Sequence, residues 1–195
     1  KGERIVQVVC VSTARWHVCS HILARTHNQL YHVRTVSLSD EMPKTSQKYD
    51  VLGRATIILE PLQQWEFPSN IIDLSVHPSR GVGVAFMTCR DGSLYSWSAA
   101  EGVKEVYRDL EYHEAEWLSL CCSNHPMFCF KSRGSKLYGV DIRSTSENII
   151  FADSNNFTAL CHHGHSPHHL FTCNASSSVG ILDIRYPKRY LFQKF

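Results

Sequence analysis

The chain has 195 residues, 43% hydrophobic and 19% charged, with 20 Lys plus Arg against 18 Asp plus Glu. Such a composition can bury a core and excludes a disordered tail, and a net charge of +2 gives no broad field for gripping nucleic acid or an anionic membrane. No run of 18 apolar residues occurs, so no membrane-spanning helix is expected.

Lys1-Gly2-Glu3-Arg4 runs directly into a strand-like segment, so no signal peptide is expected. The first residue is not Met and Phe195 lies in an apolar run, which reads as an excised part of a longer chain. The eight cysteines form no C-x-x-C pair and lie mostly within apolar runs. They read as reduced, intracellular thiols used as small hydrophobes.

The first unit, approximately 1–62, contains the strand-like "HVCSHILARTHNQLYHVRTVS" and ends on "RATIILEPL". A polar, Pro43-containing stretch interrupts it and is expected to be an exposed insertion at approximately 38–54. The second unit, 63–109, contains "IIDLSVHPSRGVGVAFMTCRDGSLYSW" and then "VKEVYRD". The third, 110–153, contains "WLSLCCSNHPMFCFKSRGSKLYGVDIR" and then "ENIIFAD"; its opening "EYHEAEWLSL" is ambiguous between helix and strand. The fourth, 154–195, contains "FTALCHHGHSPHHLFTCNASSSVGILDIR" and then "RYLFQKF".

Each later unit has an apolar run, a turn with Pro (Pro78, Pro126, Pro167), a second run, a small polar turn, a third run and a fourth. Leu94, Leu137 and Val179 align at spacings of 43 and 42, and Leu30 lies 64 residues before Leu94, the excess being the insertion. Runs rich in Val, Ile, Phe, Tyr and Cys between Gly, Ser, Asn and Pro are strand signals. Four strands per unit at this period predict an all-β fold of propeller blades, about four of them, forming part of a larger WD-type β-propeller.

Within that frame Gly92 is expected to supply a positive φ between the second and third strands. Trp97 is expected to pack between blades where a WD dipeptide places its Trp. Asp141-Ile142-Arg143 and Asp183-Ile184-Arg185 are read into the same place, each with an Asp–Arg pair holding the strand end.

The densest polar cluster is Cys161, His162, His163, His165, His168 and His169, with Cys173 nearby. His and Cys ligate zinc, but the spacing fits no finger and successive strand residues point to opposite faces. The 162–169 stretch is therefore expected to be a polar turn, with no metal and no cofactor. No nucleophile elbow, H-E-x-x-H or phosphate-binding loop occurs, so no enzyme is expected. Arg185, Tyr186, Lys188 and Arg189 interleave cations with an aromatic, the one candidate for partner or nucleic-acid contact. The plainer alternative is a solvated turn whose charges guard an edge strand.

From Gly92 onward the chain resembles a known family. Gly92, Leu94, Trp97, Ser98, Glu101 and Gly102 match its "G-x-[VL]-x-x-W-S-x-x-[DE]-G" element, and Val106, Tyr107, Arg108 and Asp109 match the following "[IV]-Y-R-D". Trp117 then precedes His125-Pro126, a third strand runs from Gly134 to Asp141, and Leu182, Asp183, Arg185, Pro187 and Leu191 fit a closing "L-x-D-x-R-x-P" element. Tyr190 departs from the family's usual Pro. Over Ile71 to Phe195 the chain resembles the TATA-box-binding-protein-associated factor that forms the propeller component of the RNA polymerase I promoter selectivity factor, a family related to the large propeller component of yeast core factor.

The resemblance implies a non-enzymatic scaffold in the nucleus and nucleolus. Its implied partners are the TATA-binding protein and sibling factors, RNA polymerase I with its initiation factor, and the ribosomal DNA core promoter through the complex. The alternatives are a generic WD-type adaptor in another intracellular complex and, from a different class, a propeller hydrolase with a site built across blades.

Overall fold

Short β-favouring runs cut by Gly, Ser and Asn turns satisfy their backbone groups by pairing with one another. A computed structural model describes residues 4–12, 20–37, 57–77, 83–108, 117–123, 128–144, 146–162 and 166–194. Among them the chain forms sixteen strands and no helix. The first sheet holds β1 (Gln7–Ser12), β2 (Ser20–Arg25), β3 (Gln29–Ser37) and β4 (Ile57–Glu66). The second holds β5 (Ile71–Val76), β6 (Val84–Cys89), β7 (Ser93–Ser98) and β8 (Gly102–Arg108). The third holds β9 (Trp117–Cys122), β10 (Phe128–Arg133), β11 (Lys136–Asp141) and β12 (Ser146–Ala152). The fourth holds β13 (Phe157–His162), β14 (His169–Asn174), β15 (Val179–Asp183) and β16 (Tyr190–Lys194). Every sheet is antiparallel and orders its strands as they occur in the chain.

The expected boundary at 62 falls inside a strand. A bulge at His32/Val33 adds a residue to β4, which runs on until Glu66 pairs with Gln29. The ambiguous 111–120 stretch contributes the start of β9, while 111–116, the expected insertion at 38–54, Pro78, Asp109 and Pro126 lie outside the described residues.

Register explains the repeat. Leu94 pairs with Thr88, Leu137 with Ser132 and Val179 with Cys173, each partner the fifth residue of its sheet's second strand. Trp97 pairs with Ala85, Val140 with Cys129 and Leu182 with Leu170, so Val140 and Leu182 hold the place of Trp97. The two aspartates come one residue later, at the place of Ser98. The alignment of Asp-x-Arg with Trp97 is corrected accordingly: the Trp belongs to the strand's buried face, and the Asp to the turn that ends the strand.

Alternation sends successive residues to opposite faces, and the sheets stack through those faces. Leu23, Leu30 and Val11 of the first sheet pack against Met87, Tyr95 and Trp97 of the second. Phe86 and Leu94 meet Leu120, Cys122, Cys129 and Val140. Phe130 and Leu137 meet Phe157, Leu160, Leu170 and Leu182. The first strands lie near one another: β1 against β5, β5 against β9, β9 against β13.

Links between sheets repeat as well. Ile71 N–H bonds His27 O and Arg90 N–H bonds Asn70 O (2.8 Å) at the first junction. Phe157 N–H bonds Gly134 O (2.9 Å) and Ala175 N–H bonds Asn156 O (2.7 Å) at the last. Among the described cysteines all are free thiols, and burial pushes those of Cys89 and Cys129 up to about 12, which leaves them inert packing groups.

Candidate functional site

The candidate contact residues lie on the turn between β15 and β16. Asp183 ends β15 and builds that turn: its Oδ1 accepts from Arg185 N–H (3.0 Å) and Nε–H (3.0 Å), and its Oδ2 from Nη2 (2.7 Å). This fork of charge-assisted bonds holds the Asp183 carboxyl well below the usual carboxylate range and raises the Arg185 pKa. The Arg185 guanidinium also lies 5.7 Å from the ring centroid of Tyr186, which is 73% exposed; Lys188 and Arg189 are exposed, and Pro187 lies in the turn. Arg185 is thus half committed, whereas Tyr186, Lys188 and Arg189 face water.

The same construction ends β11. Asp141 Oδ1 accepts from Arg143 N–H (3.0 Å) and Nε–H (2.9 Å), and Oδ2 from Nη2 (2.5 Å). In the second sheet Ser98 Oγ accepts instead from Glu101 N–H (3.1 Å), and Gly102 closes the turn at φ +74° with Trp65 3.3 Å from where a Cβ would be. A side chain at 102 would be strained at this φ and would press on the indole.

Gly92 turns at φ +81°, with Asp91 Oδ1 accepting from Ser93 N–H at 3.1 Å. Trp97 is fully buried between the first and second sheets, edge-on to His32 at 4.9 Å. Tyr107 receives the buried Lys131 ammonium 4.7 Å above its ring, between the second and third sheets. Arg108 pairs with Glu105 at 2.9 Å on the surface. Trp117 opens β9 opposite Arg133.

The His-rich stretch is split. His162 is buried with Nε2 3.2 Å from Pro167 O and its ring stacked on Phe130. Its strand neighbour Cys161 is exposed, and Ser166 Oγ lies 2.9 Å from His169 Nδ1. His163 and His165 lie outside the described residues. Among the described residues no three His, Cys, Asp or Glu side chains gather as a metal site. The fold does bring the His turn to the basic turn: His169 pairs with Asp183, and Ile184 N–H bonds His168 O at 2.9 Å. One end of the fourth sheet therefore groups His168, His169, Tyr186, Lys188 and Arg189.

Two polar groups escaped sequence reasoning. Buried Arg25 donates to Gln7 Oε1 and to the carbonyls of Ile71 and Ile72, each at 2.7 Å, bolting the first sheet to the second. Asp73 and Ser75 of β5 accept from the N–H groups of Leu120 (2.8 Å) and Cys122 (2.9 Å), bridging the second sheet to β9. The local signal was a charged residue inside an apolar run; apart from Gln7, 18 residues from Arg25, the partners lie more than 45 residues away.

No protein-family model matches the chain, and no curated protein matches it.

Proposed function

We propose that the four stacked sheets are an arc of a β-propeller. We further propose that the chain is a non-enzymatic scaffold of the RNA polymerase I promoter selectivity factor, acting in the nucleolus. Consecutive sheets whose first strands neighbour one another are what an arc around a central axis requires. The observation that carries the functional reading is the ordered series of family-like elements, from Gly92 and Trp97 through Gly102, Tyr107 and Arg108 to Asp183, Arg185 and Pro187.

A rigid stack suits such work because its hairpin ends present turns to several partners at once, with no chemistry needed. In this reading the turn bearing Tyr186, Lys188 and Arg189 meets an acidic partner or the phosphates of promoter DNA. The TATA-binding protein, its sibling factors and the polymerase with its initiation factor meet other turns.

Affinity purification of the tagged protein from cells tests the proposal. The expected result is co-purification of the TATA-binding protein and RNA polymerase I subunits. Recovery of a different stable assembly lacking both overturns it in favour of a generic propeller adaptor.

A further inference from the structure

We propose that His21 and His32 form an acid-sensitive latch between the first and second sheets, which releases the first sheet as the pH falls below about 6.5. The proposal rests on the geometry of the interface and not on the transcriptional reading. His32 Nε2 lies 2.7 Å from His21 Nδ1, so a single proton sits between two imidazoles, one donating and the other accepting. His32 is 4% exposed, while His21 is half-buried. The His32 ring is stacked on Trp65 at 6.5 Å and edge-on to Trp97 at 4.9 Å, inside the interface. His32 Nδ1 has no hydrogen-bond partner among the described residues.

The surroundings of the ring decide where added protons go. From β2 it faces His21, and from β4 Gln63, its partner in register, and Trp65. From the second sheet it meets Trp97, which is uncharged. Among the described residues of this face of the first sheet, the formal charges are Arg25, committed to Gln7, Ile71 and Ile72, and Arg34, opposite His21 and held by Glu60 at 2.5 Å.

A proton added at this contact enters His32 Nε2, against the Nδ1–H of His21. It sets two N–H groups against each other at 2.7 Å and adds a further cation to a face where the Glu60 carboxylate is already engaged. Burial, and then the charge of His21, holds the His32 pKa below its ordinary value. The unfolded or undocked chain therefore binds more protons than the docked one. Docking is complete above about 6.5 and weakens by up to about tenfold per pH unit below it, until His32 itself titrates.

Hydrogen exchange of the whole chain between pH 7.5 and 5.0, corrected for intrinsic rates, tests the latch. Amides of β2, β3 and β7 are expected to lose protection by up to about tenfold per unit below 6.5 relative to β10 and β14. In His32→Phe that difference is expected to vanish. Imidazole NMR of the unmutated protein supplies a readout independent of the variant's folding, with His32 titrating below 6.5. Equal loss in all four sheets, an unchanged pH dependence in a folded His32→Phe, or His32 titrating at or above 6.5 would each overturn the proposal.

Discussion

The second sheet and the two that follow it end their third strands at the same register position by different means. In the second sheet Trp97 fills the space against the first sheet, Ser98 Oγ caps the turn and Gly102 closes it. In the third and fourth sheets the Trp position holds Val140 and Leu182, and the turn is built by Asp141–Arg143 and Asp183–Arg185 forks. The Trp lies within apolar packing, whereas both arginines are exposed. Burial should therefore govern stability at the first corner, while the forks chiefly shape the backbone of the turns.

The largest expected effect is at Trp97. Trp97→Ala should cost about 3–5 kcal/mol, because it empties an indole-sized space shared by two sheets. Denaturant unfolding checks this, and a loss below about 1 kcal/mol would show that the interface collapses around the gap. Val140→Ala at the matching position removes far less volume and should cost about 2 kcal/mol. Equal costs at the two sites would erase the contrast.

An intermediate effect is expected at Gly139, opposite Phe130 in the third sheet, where the second sheet has Ser96 opposite Phe86. A Cβ at 139 would lie 2.6 Å from both Ile150 Cδ1 and Phe128 Cζ. Gly139→Ala should therefore cost about 1–3 kcal/mol through overpacking. Ser96→Ala, at a position already bearing a Cβ, should melt close to the parent protein. Thermal melts of the pair sharpen the comparison, and an unchanged Gly139→Ala would show that Ile150 and Phe128 yield without strain.

The repeat was legible because it depends on local chemistry: turns set by Gly and Asp, strands set by β-branched and aromatic residues, and a spacing that puts Leu94, Leu137 and Val179 at one register position. What the spacing could not carry was the face each residue takes. Trp97 and Asp141 are one position apart in register, and in a strand one position exchanges buried face for turn. The bulge that lengthens β4 is marked locally only by Pro61, and the first boundary was drawn inside that strand.

The Arg25 bolt, the Asp73 bridge and the His21–His32 pair were invisible for a further reason. Each depends on two strands meeting across a sheet or between sheets, and nothing local to the residues names the partner. At the candidate contact turn, sequence placed the basic and aromatic residues but not the His168 neighbourhood, which only the β14–β15 pairing supplies.

The smallest effect belongs to the forks, and its pH dependence separates charge from shape. The Asp183 pKa is depressed, chiefly by the Arg185 side-chain bonds, so its contribution is fully present above the unfolded value of about 3.9. It is lost as the pH falls below that value and through the folded pKa. Asp183→Asn keeps an Oδ1 acceptor for the Arg185 N–H but removes the charge. The variant should melt slightly below the parent at pH 7, and the gap should narrow below about pH 4, where the parent's advantage fades. Raising the salt concentration should narrow the gap at pH 7 also, since Arg185 is exposed and screened. A gap that persists unchanged through both treatments would mean that Asp183 acts by fixing the turn's shape alone. The corner of the fourth sheet would then work like the uncharged Ser98 cap of the second.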